Sequence, residues 1–300
     1  MAGHHGPVSP LLLPHPATGE LFDSPVPPGT GWPDDPAAPD TPVARTPAQV
    51  RRLAADVGLE ELGARVSVCA ACPRLVAWRE EVARDKRASF AGEPYWGRPI
   101  AGWGAPDPRV LVVGLAPAAN GGNRTGRIFT GDRSGDWLFA SLHRVGLATQ
   151  PTSTHAADGQ RLVDTRMVAT VRCAPPLNKP TTEERDTCAP WLDAELRLVA
   201  GSVRVVVALG SFGWAAALSS FGRVGWEVPR PRPRFGHGAE AVIRGAAHEI
   251  TLIGSYHPSQ QNTFTGRLTE PMLDEVLGRA AAAARIPDRP SYPNRQRKSP

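Results

Sequence analysis

The 300-residue chain has no signal-peptide core: its early apolar run, Leu11-Leu12-Leu13, is too short and lacks a basic flank and a cleavage site. No apolar run approaches the length of a membrane span. No Gly-x-Gly-x-x-Gly follows a strand-like segment, which argues against a dinucleotide-dependent redox enzyme. No internal repeat is present, so a single main domain is expected. Cysteine is scarce, with four in the chain. These absences point to a cytoplasmic protein unattached to membrane; a monomer is expected.

What is present is uneven. Twelve of the 32 prolines precede Val50, in a stretch with almost no apolar periodicity. Residues 1–45 therefore read as a disordered or loosely attached Pro-rich arm. Residues 46–285 read as the folded domain, and 286–300 as a flexible basic tail that could touch phosphate. The hydrophobic fraction of 41% suffices for a sizeable core. A net charge of +5 favours a polyanionic partner only mildly, since an Arg-heavy composition produces the same balance without one.

Four β-branched apolar runs stand out: Arg109–Leu115, Arg166–Arg172, Val203–Leu209 and Ile250–Tyr256. Near-continuous apolar runs are expected of parallel strands buried on both faces. Helical patterns separate them at Ser134–Val145, Thr181–Val199, Ser211–Leu218 and Thr269–Ala284, the second opening on a Thr181/Glu184 capping box. Alternating strands and helices predict an α/β fold, a three-layer α/β/α sandwich around a central four-stranded parallel sheet. Ligands of such sheets bind beyond the carboxyl ends of the strands.

The cysteines are Cys69 and Cys72, in a Cys-x2-Cys pair, and the distant Cys173 and Cys188. In a reducing compartment disulfides explain them poorly. Four thiolates suit tetrahedral zinc or a [4Fe–4S] cube, and the residues alone do not separate the two. Four unrelated buried thiols is the blander alternative.

At the carboxyl ends of the strands lie polar loops. The first runs from Gly114-Leu-Ala-Pro-Ala118 through Asn120 and Arg124 to the segment Gly126–Gly135, which carries Phe129 and Asp132 ahead of a helix. The second is Ala174–Pro180, with Asn178; the third is Tyr256–Asn262, with His257. An aromatic, a carboxylate, an amide and an imidazole on one rim can stack on a planar ring, read its edge and cut its bond.

Gly114–Ala118, Asn123–Asp132, Cys173–Asn178 and His257–Asn262, taken in that order, resemble the family 5 (B-type) uracil-DNA glycosylases. The resemblance spans roughly Cys69 to Leu277 and includes the cysteine spacing. It implies a [4Fe–4S] cluster rather than zinc. It also implies hydrolysis of the N-glycosidic bond of uracil and other deaminated bases, such as hypoxanthine, in DNA, leaving an abasic site. In other uracil glycosylases the first loop carries an Asp, Asn or Glu that helps activate water; here Leu115, Ala116 and Ala118 carry none. In the related four-cysteine family the second strand carries a uracil-reading Asn; here Ala169 and Thr170 occupy that stretch. Losing an edge-reading amide relaxes discrimination.

On that resemblance Phe129 stacks on a base flipped out of the helix. The backbone of Gly114 and Ala116 and the Asn178 amide hydrogen-bond to it. His257 and Asp132 are the catalytic pair: His257 donates to the anion that develops on the base, and Asp132 stabilises the sugar cation or orients water, unless it serves only as a helix N-cap. Asn120, Arg124, Asn262 and Arg267 are the expected DNA contacts, Asn262 alternatively holding its own loop, with Arg127 and Arg133 as further phosphate candidates and Phe264 as a wedge into the stack. A non-catalytic nucleic-acid-binding protein on the same fold, holding a cluster or zinc, is the rival; it needs neither Phe129 nor Asp132.

Overall fold

The structure, a computed structural model, describes residues 12–284. Its elements in chain order are β1 (Leu13–Pro14), β2 (Leu21–Phe22), α1 (Pro47–Leu53), α2 (Leu59–Ser67), α3 (Pro73–Asp85), β3 (Trp103–Gly104), β4 (Val110–Gly114), α4 (Gly122–Thr125) and α5 (Arg133–Arg144). There follow β5 (Thr165–Ala169), α6 (Thr182–Val199), β6 (Val205–Leu209), α7 (Gly210–Arg223), β7 (Glu240–Arg244), β8 (Glu249–Ser255), α8 (Gln260–Phe264) and α9 (Glu270–Ala283).

The four apolar runs form a parallel core in the order β5-β4-β6-β8. The sheet has six strands rather than four, because β3 and β7 add antiparallel edges on β5 and β8. Neither edge was legible in the sequence. β3 is two residues long, and β7 alternates exposed with buried positions, as an edge strand does.

Strand alternation divides the core. Val110, Val112, Val205 and Val207 pack against α5 and α9 through Leu138, Leu142, Leu273 and Val276. Their neighbours Leu111, Val113, Val206 and Ala208 pack on the other face against Leu196, Trp214 and Phe221 of α6 and α7. With both faces covered, the loops at the strands' carboxyl ends are left to meet a ligand. α6 opens on the expected capping box, Thr181 accepting from Glu184 N at 3.2 Å while Glu184 accepts from Thr181 N at 2.8 Å. α1 to α3 form a third cluster on the far side of α6, with Leu62, Leu75 and Trp191 buried in it.

Residues 12–45 depart from the expectation of a loose arm. Phe22, Val26 and Trp32 are buried in the α5–α9 side of the core. Val26 N donates to Trp96 O at 3.1 Å, and Ala70 N donates to Ala44 O at 2.8 Å. Arg98 grips Asp35 through two hydrogen bonds of 2.8 and 3.0 Å, with both side chains at most 8% exposed. The segment looks unstructured in sequence because prolines hold it extended. Its few large apolar residues enter separate grooves instead of forming one periodic face. Residues 1–11 and 285–300, the basic tail included, lie outside the described residues. No helix among the described residues is long and apolar enough to cross a membrane.

Removing one partner of a buried ion pair leaves the other charge uncompensated. Asp35→Ala is expected to lower unfolding stability by roughly 3–5 kcal/mol, measured by urea denaturation. A loose arm would give a change near zero.

Candidate active site

Three loops converge at the carboxyl end of the sheet on a cavity of about 570 Å³. It is lined by Leu115–Ala118 after β4, by Phe129 and Asp132 before α5, by Asn178 after β5, and by His257 after β8. Phe129 and Asp132 on one loop and His257 on another, far apart in sequence, thus share one pocket of a size that takes a nucleobase.

Phe129 is positioned by two constraints. Its backbone adopts φ +52°, a conformation bulky residues rarely take. Its ring also lies directly over Gly114: a Cβ at Gly114 would come within 2.7 Å of Phe129 Cζ. The rings of Phe129 and His257 lie 6.0 Å apart at a 38° tilt.

Asp132 combines the expected helix cap with a place in the pocket lining. It is the N-cap of α5, Oδ1 accepting from Gly135 N at 2.9 Å. The same carboxylate lines the pocket. Its other oxygen abuts Gly121, where any Cβ would collide with it. Burial pushes its pKa above the usual carboxylate range, against the pull of the Gly135 and Ser134 N–H groups and of Arg124, and with a further push from Asp136.

His257 is fixed by its backbone: its carbonyl accepts from Asn262 Nδ2 at 2.9 Å and from Ser259 N at 2.7 Å. Burial lowers its pKa to about 4, so the ring is neutral at physiological pH. It reaches the pocket as an imidazole with an N–H to donate.

Several expected DNA contacts are corrected. Arg124 and Arg127 are buried and ion-paired, with Glu93 and Asp158 respectively, at 2.6 Å each. In the sequence they looked like any loop arginines; their carboxylate partners lie 31 residues away along the chain. The Asn120 carbonyl oxygen Oδ1 accepts from the buried Tyr95 hydroxyl at 2.9 Å. Asn262 braces the His257 loop, its Nδ2 donating to the His257 carbonyl. Arg133 and Arg267 are exposed and make no ion pair among the described residues; Arg133 stacks on Phe264 and Arg267 on Tyr256, at 4.5 and 4.6 Å. Thr170 donates to Leu115 O at 2.8 Å and faces a neighbouring cleft, so no second-strand amide or hydroxyl reaches the base pocket.

Sequence reasoning missed Leu177. It is 84% exposed at the pocket mouth, with φ +54°, in a turn between prolines. A lone leucine among prolines carries no periodicity to flag it.

The Cys69/Cys72 pair and the distant Cys173 and Cys188 all line one small cavity between α3, α6 and the end of β5. Arg79 Nη1 donates to Cys173 Sγ at 3.0 Å and to the Cys69 carbonyl at 3.0 Å, and Arg172 N donates to Cys188 Sγ at 3.3 Å. Burial, and then the neighbouring thiols, push the pKa values of Cys69 and Cys72 up. Among the described residues no three His, Cys, Asp or Glu side chains are spaced to hold a single metal ion.

The three-layer sandwich carries this pocket at the carboxyl ends of its strands, and the profile of the Uracil DNA glycosylase superfamily matches residues 101–280. The Type-5 uracil-DNA glycosylase of Mycobacterium tuberculosis is 58% identical over 273 residues, 91% of this chain and 99% of that protein. Those of Mycobacterium leprae and Thermus thermophilus are 56% and 50% identical, covering 76% and 73% of this chain and 96% and 95% of their own. The chain belongs to the type-5 uracil-DNA glycosylase family.

Gly114→Ala forces a methyl against the Phe129 ring and is expected to abolish most base excision and to lower unfolding stability by about 1–3 kcal/mol. Gly114→Ala activity equal to wild type would show that Phe129 can yield without cost.

Proposed function

We infer that the protein is a DNA-repair glycosylase that hydrolyses the N-glycosidic bond of deoxyuridine in DNA, releasing uracil and leaving an abasic site. One observation carries the reading: a stacking ring, a carboxylate and a neutral imidazole face one nucleobase-sized pocket. A base in a duplex cannot enter such a pocket, so the nucleotide must leave the stack, at a cost of a few kcal/mol. Stacking on Phe129 offsets about 1–3 kcal/mol of it.

As the C1′–N1 bond stretches, the base gains negative and the sugar positive charge. His257 N–H donates to the base as its anion forms, an interaction strongest late on the path. Asp132 is assigned to the sugar side of the breaking bond, where its carboxylate stabilises the sugar cation and orients the water that attacks C1′. Asp132 accepts the water's proton as the hydroxyl joins C1′, and the base departs with the bonding electron pair as an anion that solvent then protonates to free uracil. Exposed Arg133 and Arg267 supply phosphate contacts, and Leu177 or Phe264 fills the gap left in the stack.

The pocket supports a broader substrate range than uracil alone, hypoxanthine included. Its lining offers backbone groups of Leu115–Ala118 and the rim amide of Asn178, with no deeply buried amide demanding one particular edge. The four thiols fit a [4Fe–4S] cluster: the donor set is all sulfur, a cube spreads its ligands wider than one ion does, and Arg79 and backbone N–H groups point at the sulfurs. Cys69, Cys72, Cys173 and Cys188 would hold it. Bound there, the cluster supplies cross-linking between the N-terminal helices and the sheet.

Asp132→Asn is expected to slow uracil release about 10²–10⁴-fold while DNA binding persists, read as alkali-induced scission of a labelled uracil oligonucleotide beside a binding assay. Unchanged release would favour a non-catalytic binder. Oligonucleotides carrying hypoxanthine, xanthine or mismatched thymine test the range; cleavage confined to uracil would sink the broad reading. The purified protein should be brown, and Cys173→Ser should lose colour, iron and thermal stability together. A colourless, zinc-loaded protein would overturn the cluster.

A further inference from the structure

Arg124 is a surface-type residue held where no surface is. Its side chain is 4% exposed, and its guanidinium makes four polar contacts. Nη1 donates to Glu93 Oε2 at 2.6 Å and lies 3.2 Å from His155 Nε2. Nε donates to the carbonyl of Asn120 at 2.9 Å, and Nη2 to the carbonyl of Gly131 at 2.7 Å. The face of the guanidinium lies 3.9 Å from the centre of the Phe90 ring.

The two backbone contacts are the telling ones. Gly131 immediately precedes Asp132. Asn120 immediately precedes Gly121, the residue against which the second Asp132 oxygen rests. One planar, rigid group thus ties together the two backbone segments that box in the carboxylate, a task that suits the fixed fork of arginine and not the point charge of lysine. We propose that Arg124 is the positioning residue of Asp132, fixing the backbone on both sides of that carboxylate and placing a compensating positive charge behind it in the desolvated pocket.

The electrostatics run the same way. Burial holds the Asp132 pKa up and Asp136 adds to it; Arg124 pulls it down, together with the α5 N–H groups. Exposed Arg133 and the neutral His257 are the other titratable groups at the pocket. Behind Arg124, Glu93 is ionised, its pKa pushed up by burial but held below the ordinary range by hydrogen bonds from His155 and Arg124. Glu93 therefore tempers the positive charge that Asp132 feels, and the two residues act on the carboxylate in opposite senses.

The inference rests on the catalytic assignment of Asp132, and the experiment separates the two. Single-turnover uracil excision is measured against pH for wild type, Asp132→Asn, Arg124→Gln, Arg124→Lys and Glu93→Gln, with DNA affinity measured alongside. The carboxylate form is active, so the rate falls as pH drops through its pKa, and losing a nearby positive charge moves that acid limb to higher pH. Arg124→Gln is expected to move the limb up by about one pH unit, with DNA affinity within about twofold of wild type. Arg124→Lys should restore the limb's position but not the full rate, and Glu93→Gln should leave the limb in place or move it down.

A uniform loss of rate in Arg124→Gln without a shifted limb would overturn the proposal, as would Glu93→Gln and Arg124→Gln shifting it up together. Should Arg124→Gln fail to fold, an upward shift in Arg124→Lys, which keeps the charge, overturns it equally. If the wild-type limb survives in Asp132→Asn, the catalytic assignment itself is the part that fails.

Discussion

The ring of Phe129 lies so close over Gly114 that no side chain fits between them, and the pocket is built outward from that contact. It joins the end of β4, in the middle of the sheet, to the loop that leads into α5. Because β4 is buried on both faces and cannot shift, the ring cannot shift either. The strained backbone at Phe129 persists because the packing around it over-determines it. Asp132, three residues on, inherits its place from the same turn and from the helix it caps. His257 then completes the pocket from a strand two positions across the sheet, through β6 to β8.

Around this rigid centre the protein uses its charges as internal scaffolding. Arg98, Arg124, Arg127, Arg166 and Arg172 are all buried, and each meets a carboxylate on a distant segment. Such pairs do little for stability compared with apolar packing, but a half-broken pair is costly, so they penalise alternative arrangements of the loops they join. These arginines are spent on internal carboxylates and are not available to a polyanionic partner. The cations left exposed near the pocket are few, Arg133 and Arg267 among them, and both rest on aromatic rings that restrict their reach.

Burial moves the pKa values of the two side chains assigned to catalysis in opposite directions. Desolvation disfavours charge, so it keeps His257 neutral and makes the Asp132 carboxylate reluctant. A neutral imidazole is a hydrogen-bond donor that gains strength only as the base becomes an anion. A reluctant carboxylate is poorly solvated and so responds strongly to a cation forming nearby. On the proposed mechanism, the same water exclusion suits both halves of a bond that separates charge as it breaks.

The amino-acid sequence by itself determined the parallel core of the sheet, the helices between its strands, the cysteine set and the three loops of the rim, because each is written in a short segment. β-branched runs, the Thr181/Glu184 cap and the Phe129–Asp132 spacing need no distant partner to be read. Tertiary structure alone decided which arginines face solvent, that Pro-rich residues 12–45 pack against the core, that the sheet gains two edge strands, and that Asp132 both caps a helix and lines the pocket. Those outcomes depend on partners tens of residues away, such as Glu93 for Arg124 and Asp35 for Arg98, whose approach is fixed only when the chain has folded.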